Sequence, residues 1–126
     1  MIYTVERDMI WNRIKNADIF YIYGAQVVAY GVYTAIREIL GKLPEAFLVS
    51  RLENNPTVIE NIPVVELEGN ISSDPLIIVS VPEIYHEEIK EKLNLYGFDN
   101  TIYVDTHVEY LIMSRYFKNL GCFALL

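Results

Sequence analysis

The stretch PLIIVSVP, residues 75–82, constrains the fold more than any other part of the chain. A run this apolar and this short, closed at both ends by proline, has no polar face to offer water and is too brief for a long helix. It reads as a central strand of a parallel sheet, covered on both sides. Four further extended segments share the character: DIFYIYG (18–24), EAFLVS (45–50), IPVVELEG (62–69), whose Pro63 suits an edge or a strand start, and NTIYVD (100–105).

Helical periodicity fills the intervals between most of these strands. TVERDMIWNRIKNA places Val5, Met9, Ile10 and Ile14 on one face, with Thr4 as N-cap and Trp11 at the edge of the stripe. From Gln26 to Leu40 the apolar positions Val28, Val32, Ala35, Ile36 and Ile39 recur at helical spacing, and Gly41 is placed to end the helix in the left-handed conformation. EIYHEEIKEKLNLYG lines up Tyr85, Ile89, Leu93 and Tyr96, with Glu83, Glu87 and Glu88 near the favourable N-terminal end. HVEYLIMSRYFKNLG forms a last helix, which Asp105 or Thr106 can cap. RLENNPTVIEN is polar and reads as a surface loop.

Strands alternating with helices predict an α/β fold: a Rossmann-like three-layer sandwich around a five-stranded parallel sheet with right-handed crossovers, in the order 3-2-1-4-5. The expected layout is a single domain over residues 1–126, with an N-terminal helix (1–16), a core (17–106), and a C-terminal helix and tail (107–126). In that strand order the chain reverses direction between the first and fourth strands, so a ligand crevice is expected at their carboxyl ends.

Composition narrows the partners. Seventeen acidic against ten basic residues give a net charge of −7, with no cluster of Lys and Arg, so nucleic acid is not an expected partner. The one cysteine, Cys122, has no internal disulfide partner, and neither a signal peptide nor a membrane-spanning apolar run is evident. A cytoplasmic protein is the expectation.

YIYGAQVVA and the helix after it, followed by FLVS, IPVVEL, LIIVSVP with EIKEKLNLYGF, and TIYVD, resemble the Rossmann-like N-terminal module of bacterial surface-polysaccharide biosynthesis proteins. The resemblance runs over roughly residues 17 to 118. Such modules precede glycosyltransferase, phosphotransferase or acetyltransferase domains, and a related one carries the nucleotide in sugar epimerases and dehydratases. It implies a nucleotide- or nucleotide-sugar-binding module, not itself catalytic, serving a downstream transferase domain. The apolar tail ending in Leu125 and Leu126 fits a chain that leads into such a domain, or one that packs on a partner.

The dinucleotide fingerprint needs glycine for the turn, for approach of the pyrophosphate to the backbone, and for close helix packing. Here those positions are Gly24, Gln26 and Ala29, with Gly31 a little further on. Gln26 is the departure, although the amides of Ala25, Gln26 and Val27 can still attract an anion. The other reading is a tight strand-to-helix turn with no ligand. After the second strand stand Ser50 and Arg51, where an NAD site would place an acidic residue; this leaves NADP or a nucleotide-sugar phosphate for Arg51 to meet, or a merely solvated arginine. Ser80, Val81, Pro82, Tyr85 and His86 complete the candidate ligand-binding set, with His86 the best placed titratable group for proton transfer or simply a capping residue.

No catalytic or metal site is read. His86, His107 and Cys122 have none of the spacings that gather ligands locally, and IVSVP is not a nucleophile turn. The tyrosines, among them Tyr21, Tyr23, Tyr33 and Tyr103, fit packing positions. Two alternatives remain: a degenerate module acting as a protein-interaction or dimerisation surface, and an NAD(P)-binding domain of a sugar epimerase or dehydratase.

Overall fold

The computed structural model of the chain describes residues 2–68 and 74–121. The tail from Cys122 to Leu126 lies outside the described residues. The elements run α1 (Ile2–Asn16), β1 (Phe20–Tyr23), α2 (Val27–Leu40), β2 (Phe47–Val49), β3 (Val58–Ile59), β4 (Ile62–Glu66), β5 (Leu76–Val79), a 3-10 turn (Glu83–Tyr85), α3 (His86–Leu95), β6 (Thr101–Tyr103) and α4 (Thr106–Asn119).

The chain is α/β with a mostly parallel sheet, but strand count and order differ from expectation. Six strands lie in the order β3-β4-β2-β1-β5-β6, and β3 is antiparallel to β4. The extra strand comes from the end of RLENNPTVIEN, whose polar character predicts a surface loop. Glu60 and Asn61, both with positive φ, make the tight turn that folds Val58–Ile59 back on Ile62–Pro63. Pro63 is therefore one strand in from the edge. Without β3, the five parallel strands keep the order expected of them.

Strand register explains the two cores. Val64, Phe47, Ile22, Ile78 and Ile102 stand opposite one another across five strands, and this row faces α1, α2 and α4. One residue later along each strand, Leu48, Tyr23 and Val79 point to the opposite face, where Ile89 and Leu93 of α3 cover them. The period of two thus buries β1 and β5 on both sides, which is why they read as unbroken apolar runs.

α1 is rolled away from the predicted stripe. Trp11 and Ile14 are fully buried while Val5 and Met9 are exposed, and the helix begins at Ile2, so Thr4 lies inside the first turn rather than at the cap. Seating the indole removes more apolar area from water than seating a valine or methionine side chain, and Arg115 of α4 then stacks over it with its guanidinium carbon 4.8 Å from the ring centre. Of the stripe predicted for α3 likewise only Ile89 and Leu93 are buried; Tyr85 and Tyr96 fall just outside the helix ends and are exposed.

The amino end of the sheet is tied by cations. Lys42 Nζ donates to the carbonyls of Ile14 (2.9 Å), Lys15 (3.2 Å) and Ala17 at the end of α1. Arg13 donates to Asn100 Oδ1 (2.9 Å) and to the Thr101 carbonyl (3.2 Å) at the start of β6. The free carbonyls of a helix end are satisfied in this way from another segment.

Candidate ligand crevice

At the carboxyl ends of β1 and β5 the chain turns through Gly24, whose φ of +128° suits glycine alone. A Cβ there would sit 2.6 Å from the Ser80 carbonyl oxygen and 3.0 Å from Val81 Cγ1. The glycine is thus needed for contact between the two strand ends. A hydrogen bond from Ser80 N to Tyr23 O (2.8 Å) fixes that contact, and one from Gly24 N to Leu48 O (2.7 Å) ties the turn to β2.

Beside the turn lies an open crevice of about 360 Å³, walled by residues of the Gly24 turn, the end of β2, the following loop and the first turns after β5. Of the sequence-predicted residues, Gly24, Ala25, Gln26, Ser50, Val81 and Tyr85 line it. A side hollow of about 260 Å³ adds Val27, Ser80 and Pro82. The fold therefore gathers nine of the eleven candidates, and leaves out Arg51 and His86.

Arg51 offers its carbonyl to Asn55 Nδ2 (2.8 Å), and its exposed side chain is not part of either wall. His86 is occupied elsewhere: Nε2 donates to the Val81 carbonyl (2.9 Å), and the ring packs against Tyr103 with centres 5.6 Å apart. It fastens the turn that leads into α3.

Gln26 occupies the N-cap position of α2 in extended conformation, but its side chain makes no cap. Nε2 instead donates to Asn55 Oδ1 (3.0 Å), tying the turn to the loop after β2. Because α2 begins at Val27, the amides without an intrahelical acceptor are those of Val27, Val28 and Ala29, slightly further along than the sequence placed them.

Ser50 and Tyr23 form the crevice floor, their hydroxyl oxygens 2.6 Å apart. Burial pushes the Tyr23 phenol upward, the Ser50 hydrogen bond pulls it back, and the negative charge of Glu88 adds to the rise. The phenol therefore stays neutral at physiological pH. Ser80 is buried, with its hydroxyl returned to the Ile78 carbonyl (3.2 Å).

Sequence reasoning missed Asn55 and Glu88. The signal for Glu88 was present: it lies three residues after Tyr85, so a helix that starts at the crevice brings both to one face. Asn55 reaches the site only through a loop conformation that no periodicity encodes. Among the described residues Glu88 is the one charged group that lines the crevice.

Nearby, Glu83 accepts from Thr106 N (2.7 Å) and Thr106 Oγ1 (2.8 Å), and these bonds hold its carboxyl below the usual value. Asp105 caps α4 as expected, accepting from Val108 N (2.8 Å). Among the described residues no group of three His, Cys, Asp or Glu is placed to hold a metal ion, and no helix is long and apolar enough to cross a membrane.

No family model, curated protein or solved structure matches the chain.

Proposed function

We propose that the chain is a nucleotide- or nucleotide-sugar-binding module of a cytoplasmic, bacterial cell-surface carbohydrate biosynthesis protein, working for a downstream glycosyltransferase-like domain. The observation that carries this reading is the crevice itself. It opens at the point where strand order reverses, between a glycine turn and the start of α2, where unsatisfied amides and the helix dipole favour an anion. The neutral floor of Tyr23 and Ser50 and the wall groups Asn55 and Glu88 suit binding and orientation rather than proton transfer.

A thermal-shift panel of UDP-sugars, CDP-alcohols, CoA, NAD and NADP tests it. A ligand at a hundred times its Kd should stabilise the fold by about 2.7 kcal/mol. Silence across the panel would sink the reading.

A second reading, a protein-interaction or dimerisation module, is favoured by the apolar mouth of the site. Val27 and Ile84 are 86% and 84% exposed, and Tyr30 and Tyr85 are about half exposed. A concentration-dependent dimer together with a silent panel would select it. An NADP-binding epimerase or dehydratase domain fits less well, because the wall carries Glu88 where a 2′-phosphate would need a cation.

A further inference from the structure

The side of the crevice away from α2 has a chemistry of its own. Glu88 can only accept hydrogen bonds, and no cation in the wall answers it. Ser50, exposed, shares one hydrogen bond with the buried Tyr23 hydroxyl. Two hydroxyls carry two protons and that bond uses one, so Ser50 still has hydrogen-bonding capacity to turn toward the crevice. Asn55 gives Oδ1 to Gln26 and one Nδ2 proton to the Arg51 carbonyl, which sets the amide orientation and leaves its second proton free to donate. Glu88 raises the Tyr23 phenol electrostatically, so the carboxylate and the hydroxyl pair act on one region. An acceptor beside weak donors matches a group that both donates and accepts while carrying no charge.

Resting on the reading that the α2 end takes a phosphate, we propose that Ser50, Asn55 and Glu88 form a hydroxyl-recognition wall, and that the ligand is a phosphate ester of a sugar with a free pair of neighbouring hydroxyls. Glu88 accepts from both hydroxyls, Asn55 donates its second Nδ2 proton to a lone pair, and Ser50 donates or accepts according to which way its bond with Tyr23 runs. The half-exposed Tyr85 lines both the crevice and the side hollow and offers a flat apolar face. The same carboxylate repels a second phosphate or a sugar carboxylate at this corner. The sequence had left room there for a 2′-phosphate against Arg51; the wall reverses that preference.

The test titrates the 15N-labelled full chain with UDP-glucose and, separately, with inorganic phosphate, following backbone amide shifts in the wild type, Glu88→Gln and Ser50→Ala. Both substituted side chains are exposed, so the fold should tolerate the changes. UDP-glucose should move the amides of residues 26–29 together with those of Ser50, Asn55 and Glu88, and phosphate only the first group. Glu88→Gln should weaken UDP-glucose by about tenfold and leave phosphate unchanged. Shifts confined to residues 26–29, or affinity for UDP-glucose indifferent to both substitutions, overturn the hydroxyl wall while the phosphate reading stands. Shifts confined to Ser50, Asn55 and Glu88 keep the wall and remove the phosphate. If neither probe moves any crevice amide, both readings fall.

Discussion

At the amino end of the sheet Lys42 and Arg13 reach across element boundaries to donate to backbone carbonyls, whereas at the carboxyl end the crevice wall holds Glu88 and no cation. The first end is closed by side-chain charge. The second is held by backbone geometry, through the Gly24 contact with Ser80 and the amide pairing around it, with mostly uncharged side-chain bonds such as Gln26 to Asn55 and His86 to Val81 added to it. This division leaves the Glu88 carboxylate and the remaining hydrogen-bonding capacity of Ser50 and Asn55 for a ligand. It also predicts that the two ends respond to different kinds of substitution.

The largest effect should come from Gly24→Ala. The added methyl meets a carbonyl oxygen at 2.6 Å and forces a non-glycine residue into φ +128°, so both backbone strain and overpacking apply. A loss of about 3 kcal/mol or more in urea unfolding is expected. A near-neutral result would mean that the carboxyl end is not held by this contact.

Next in size is Lys42→Met, which keeps the apolar stem and removes the three donations to the end of α1. About 2 kcal/mol should be lost, and hydrogen exchange should rise in α1 before it rises in the strands. Unchanged protection of α1 would show that Trp11 and Ile14 suffice to dock the helix.

The smallest effect tests whether charge holds the carboxyl end at all. Glu83 is exposed, and its depressed pKa in the folded state means that its stabilisation is present above the ordinary value of 4.5 and disappears as pH falls through the lower folded value. Wild type should therefore exceed Glu83→Gln in urea midpoint at pH 6, and the gap should close as pH falls through the lowered folded value. A gap independent of pH would assign the difference to hydrogen-bond geometry alone.

How much of this was legible in the sequence depended on which signals are local. β1 and β5 announced themselves because burial on both faces forbids polar residues, and Gly41 ended α2 in the left-handed conformation that its position required. Asp105 capped its helix for an equally local reason. β3 escaped because a two-residue strand has no period to detect, and it forms only when the turn at Glu60–Asn61 brings it against β4. The roll of α1 was not legible either, since Ile14 belongs equally to a face with Val5 and Met9 and to one with Trp11, and only the partner surface chooses between them. At the site, the residues of the Gly24 turn and of the segment just after β5 line the crevice, while Arg51 and His86 stand outside it and Asn55 and Glu88 enter it.

The Gly24 contact bears on how such a chain can change over generations. Because the glycine is required by the Ser80 carbonyl 2.6 Å from where its Cβ would be, selection for folding alone would retain it. A descendant could therefore abandon its ligand and still display the glycine, while Ser50, Asn55 and Glu88, which the fold can spare more easily, would be free to drift. In this architecture the history of binding would be written in the wall and not in the turn.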